Sequence, residues 1–114
     1  ATGVAAAMGA SAEVRFRPGY IAQHNDDAVV DKLNEVAAEV IGSENIITKE
    51  HPSMGVEDFA FYAAERPSAF FFVGTGYEGR KNYGIHHGKF EADESALDTA
   101  VQLEVLTALK LMNE

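Results

Sequence analysis

The chain has 114 residues, enough for one small domain with its own core, and its 46% apolar content places it among globular rather than disordered proteins. Its net charge is −9, and its nine basic residues form no run longer than Arg80–Lys81, which argues against a nucleic-acid or anionic-membrane surface. With no cysteine, a disulfide staple, a zinc knuckle and a thiol nucleophile are excluded.

Residues 1–9 are alanine-rich and end in Gly9, which predicts a helix. The chain opens inside that helix and without Met, so its start is expected to be a cut within a longer protein. "SAEVRFRPGY" then alternates, with Ala12, Val14 and Phe16 on one face and Glu13, Arg15 and Arg17 on the other. That is a half-buried strand, ended by Pro18–Gly19. In "HNDDAVVDKLNEVAAEVIG", Asn25 or Asp26 can cap a helix, and Val29, Leu33, Val36, Ala37 and Val40 recur at helical spacing until Gly42. "NIITKE" reads as a short strand and "HPSMG" as a loop. "EDFAFYAAER" predicts a short helix with Glu57 and Asp58 in its first turn. Phe70, Phe71, Phe72 and Val73 predict a strand covered on both faces. "YEGRKNYG" is a polar loop, and the residues from Asp93 onward form a last helix. Its wide stripe of Leu97, Val101, Val105, Ala108 and Met112, broadened by Ala100, Leu103 and Leu106, implies that most of it is covered. The order predicts an α/β fold, with helices packed on a mixed sheet. No apolar run approaches the ~20 residues of a membrane span. "ATGVAAAMGA" lacks the basic start of a secretory leader, which leaves the cytoplasm as the default location.

The adjacent histidines of "GIHHGKF" pose the chemical question. Neighbours on an extended segment point opposite ways, so at most one of His86 and His87 faces a given site. A zinc site needs three or four protein ligands, and His24 and His51 stand in separate loops without ligand spacing. On spacing alone, a solvated histidine turn and an imidazole aimed at a metal or substrate stand equal. The loop at Gly55 could present the next helix's N-terminus to an anionic group, but Glu57 and Asp58 partly cancel that field and could simply cap the helix. Arg15 and Arg17 could clamp a carboxylate or be solvated.

Three stretches in order, "PSMGVEDFAFY", "PSAFFFVGTG" and "IHHGKFEADESAL", resemble the C-terminal segment of the metal-dependent amidohydrolases. This aminoacylase and metallopeptidase family includes hippurate hydrolase, N-acyl-amino-acid deacylases and auxin-conjugate hydrolases. "AEVRFRPGY" followed by "HNDDAV" resembles the family's passage out of its inserted lid domain, so the likeness covers nearly the whole chain. It implies a two-domain zinc-exopeptidase-like fold, with residues 1–24 as the last helix and strand of the lid or dimerisation domain. Residues 25–114 would be the C-terminal part of the catalytic domain.

The resemblance also implies a divalent metal cofactor, zinc or manganese, as two ions about 3.5–4 Å apart that activate a water. The substrate implied is an N-acyl amino acid or small peptide, and a homo-oligomer is expected. His86 matches the family's last metal ligand, and Met54 and Gly55 fall in a loop near the substrate. Glu57 and Asp58 match positions that shape the site rather than bind metal. Gly88 stands where the family has Pro, and Val56 where it has a second Gly. The other ligands and the general base of the family lie upstream of these residues, so no catalytic residue is assigned here and the 114 residues alone are expected to be inactive. The competing reading is a non-enzymatic binding or assembly module that keeps the same fold.

Overall fold

The computed structural model describes residues 1–113. Four α-helices follow in order: α1 (Thr2–Ala7), α2 (Asp27–Ile41), α3 (Phe59–Glu65) and α4 (Ala96–Met112), with a single 3-10 turn at Ser43–Asn45 after α2. No helix among the described residues is long and apolar enough to cross a membrane.

The clearest predicted helix forms as its spacing requires. Asp26 is the N-cap of α2, its carboxylate accepting from the Val29 N–H at 3.1 Å. Leu33, Val36 and Ala37 are buried, and Val40 and Ile41 pack beside them. Gly42 ends the helix at φ +82, a region that penalises any side chain.

α2 packs against α4, and this pair holds the core of Val36, Ala37 and Leu103. Phe71, Val73 and Ile46 close over it. An ion pair crosses the same helix contact, Lys110 Nζ to Glu35 Oε2 at 2.6 Å. The Lys110 hydrogen bond, then the charges of Lys110 and Lys32, hold the Glu35 carboxyl below its ordinary value near 4.5. A lowered folded-state value stabilises above the unfolded pKa and is lost as pH falls through the folded one. Lys110→Gln is therefore expected to move the Glu35 titration back toward 4.5, read from its side-chain carbon shifts. An unchanged titration would remove the ion pair from the account.

The observed elements depart from several expectations. The stretches 11–20, 45–50 and 68–76, expected as strands, form no sheet among the described residues. A strand exists only within a ladder, and these segments find isolated partners instead. The Asn25 side chain exchanges two hydrogen bonds with the Phe70 backbone, donating at 2.9 Å and accepting at 2.8 Å, and the Asp26 N–H donates to Ser68 O. The phenylalanine run is covered unevenly. Phe71 and Val73 meet the helices, while Phe70 packs on Phe59 and Phe72 stays 64% exposed.

The wide stripe of α4 is also covered on one side. Leu103 packs on α2 and Thr107 is buried, whereas Leu97, Val101, Val105 and Met112 are exposed, Leu97 by 61%. α3 starts two residues later than expected, with Asp58 at its N-cap position and no side-chain capping bond. In α4 the N-cap is Ser95. Asp93 holds the preceding turn by accepting from the Ser95 N–H and hydroxyl, which also lowers its pKa.

No residue before Leu33 is buried. The radius of gyration is 20.4 Å, against about 13 Å for a compact domain near this size.

Candidate functional site

The histidine pair rides on a loop closed at both ends. At its base the Asp93 N–H donates to Thr75 O at 2.8 Å, and the Tyr77 hydroxyl donates to Ala92 O at 2.9 Å. Asn82 ties the first turn: its Oδ1 accepts from the Tyr77 N–H and its Nδ2 donates to Tyr77 O. The Asn82 amide lies so close to Gly76 that a Cβ there would sit 3.0 Å from Nδ2, so the turn favours glycine. Arg80 pairs with Glu91 across the loop, and its guanidinium lies 3.8 Å from the Tyr77 ring centroid.

The two histidines have different surroundings. His87 stacks on Tyr83, with ring centroids 4.4 Å apart, and its Nδ1 accepts from the Lys89 N–H at 3.0 Å. That bond leaves His87 a structural post of the loop. His86 is exposed and makes no hydrogen bond among the described residues. Its backbone sits at φ +69, among the described residues the one left-handed position occupied by a residue other than glycine. Histidine is among the few side chains enriched in that region, and holding one there costs of order 1 kcal/mol. Turns on either side support it, from His87 N–H to Gly84 O and from Phe90 N–H to His87 O.

As a donor set the loop offers one imidazole with free nitrogens. That fits one position in a metal's coordination shell, and no more. Among the described residues no three His, Cys, Asp or Glu side chains converge, whereas a structural zinc takes four ligands and a catalytic one takes three plus a water.

Met54 and Gly55 lie in an exposed loop, Met54 being 95% exposed, and Gly55 bonds only locally to Ser53 Oγ at 3.4 Å. No hydrogen bond or ion pair among the described residues joins this loop to His86. Glu57 and Asp58 are exposed beside it. Arg15 is engaged by Glu13 at 2.7 Å, so the strand-face clamp of Arg15 and Arg17 is half taken up locally. Sequence reasoning missed the Tyr83–His87 stack and the Asn82 tie. The spacing "NYGIHH" carried a signal for the first, because an aromatic four residues before a histidine can meet it across a tight turn.

Comparison with known proteins places these features in a family. The sequence profile of peptidase family M20/M25/M40 matches residues 2–110. A Synechocystis protein named as a hydrolase is 39% identical over 94 residues, covering 82% of this chain and 24% of its own. A Bacillus subtilis protein named as an amidohydrolase is 36% identical over 102 residues, 89% of this chain and 26% of its own. The N-acetylcysteine deacetylase of Bacillus subtilis is 36% identical over 102 residues, 90% of this chain and 25% of its own. The chain thus spans about a quarter of the length of the curated relatives it matches. No solved structure gives a significant match.

Proposed function

Because the chain belongs to peptidase family M20/M25/M40, we propose that it works as the C-terminal part of a metal-dependent amidohydrolase in which His86 is one metal ligand. The observation that carries this is the contrast within the pair: His87 is spent on Tyr83 and Lys89, while His86 is presented free on a left-handed backbone. Strain of that kind persists where the surrounding loop over-determines it, and here the ties of Tyr77, Asn82 and Asp93 do so.

The proposed substrate is an N-acyl amino acid or small peptide, in line with the name of the deacetylase relative. The metal, zinc or manganese, would supply Lewis-acid polarisation of the scissile carbonyl. His86 would hold one coordination position, and the loop of Met54 and Gly55 would face the substrate. Residues 1–24 would close the lid domain and residues 25–114 the catalytic domain, whose sheet the Phe70–Val73 segment would join. One ligand holds a metal weakly, so the 114 residues by themselves are proposed to be inactive. The remaining ligands and the general base would come from the rest of a longer chain.

Blotting a native extract with an antibody to this segment tests the reading. A band several times 12.3 kDa is expected. A band at 12.3 kDa would overturn it in favour of a separate binding or assembly module.

A further inference from the structure

A hollow of about 370 Å³ lies on the histidine loop, between Arg80–Tyr83 on one side and Gly88, Lys89 and Glu91 on the other. That is the size of a small-ligand site. His86 is not among its walls, so it is a different place from the proposed metal position.

Its charge stands against that of the chain. The protein carries −9, yet three of its nine Lys and Arg residues fall within residues 80–89, a stretch without any acid. Arg80 is already neutralised by Glu91. Lys81 and Lys89 have no carboxylate partner among the described residues. Lys81 Nζ lies 5.0 Å from the Tyr83 ring centroid. Two ammonium groups facing one cavity repel, and an anion between them relieves that repulsion. The Tyr83 ring, fixed in plane by its stack on His87, gives the cavity a flat half-buried wall.

We propose that this cavity binds a small organic carboxylate with a flat apolar body. Lys81 and Lys89 would take the carboxylate and Tyr83 the body. A monoanion is the better match than a phosphate. Glu91 adds negative charge at the rim and occupies Arg80, the side chain best shaped for bidentate phosphate binding.

The test is a ¹H–¹⁵N NMR titration of the 114-residue chain with benzoate, and with neutral benzamide as the matched probe. Benzoate is expected to shift the amides of Lys81, Gly88 and Lys89 saturably, and benzamide is not. Lys81→Gln and Lys89→Gln should each weaken benzoate about five-fold, and Lys49→Gln should leave it unchanged. His86→Gln should also leave it unchanged, so the carboxylate site and the metal reading stand or fall separately. The Asn82 side-chain amide, held by Tyr77, reports in every variant that the loop is folded. Equal shifts from benzamide would overturn the proposal. So would indifference to both lysine changes, loss of binding in His86→Gln, or displacement of benzoate by an equal concentration of inorganic phosphate. An Asn82 amide free in the wild-type chain would also overturn it, because then no cavity exists.

Discussion

If the chain is part of a longer amidohydrolase as proposed, replacing His86 by alanine in that protein is expected to lower metal-dependent cleavage of an N-acetyl amino acid by at least about 100-fold. His87→Ala is expected to cost less than about ten-fold. The asymmetry follows from geometry rather than residue type. His87 is spent within the loop, where its ring stacks on Tyr83 and its Nδ1 accepts from Lys89. His86 keeps both nitrogens available, on a backbone turned to φ +69. The measurement has two readouts: kcat/KM, and metal bound per chain by elemental analysis. A ligand's removal lowers both. A His86→Ala enzyme with full metal content and full rate would sink the ligand assignment. His86→Asn is a useful companion, since asparagine tolerates the left-handed backbone and isolates the loss of the nitrogen from any change in the loop.

Leu103→Ala is expected to destabilise the 114-residue chain by about 2–5 kcal/mol in a urea unfolding titration. Leu103 is 5% exposed and packs where α4 crosses Val36 and Ala37 of α2. Domains of this size are held by about 5–15 kcal/mol, so the loss is a large share of the whole. The matched change on the opposite face, Leu97→Ala, removes a side chain that is mostly in water and should shift stability by no more than about 0.5 kcal/mol. Equal losses from the two variants would contradict the one-sided packing of α4.

What could be read from the sequence was whatever depends on near neighbours. The apolar spacing of Leu33, Val36 and Ala37 set the buried face of α2, and Asp26 capped it three residues away. The same logic stopped short at α4. Leu103 and Leu97 belong to two apolar faces of one helix, and periodicity does not say which of them a partner covers. Asn25 was legible only as a possible cap. Its actual work is with Phe70, forty-five residues along the chain, where its amide stands in for a neighbouring peptide group. The strand candidates stand without a ladder among the described residues for a related reason. The alternation in residues 11–17 describes a segment's faces but not whether another segment lies alongside to pair with it.

For the candidate site, three quoted stretches were enough to bring out the family, which the matched residues 2–110 bear out. The resemblance singled out His86 over His87, but the contacts that set the two apart were not legible there. They depend on an aromatic stack and a backbone dihedral that leave no mark in composition.

The extents of 65 × 41 × 21 Å bear on how this molecule moves through a porous medium. A radius of gyration of 20.4 Å is what a compact protein of roughly 350 residues would have. Gel filtration calibrated on spheres would therefore overstate the mass of a single copy. Elution volume alone does not count copies; light scattering or sedimentation equilibrium does, because each weighs the particle without assuming its form.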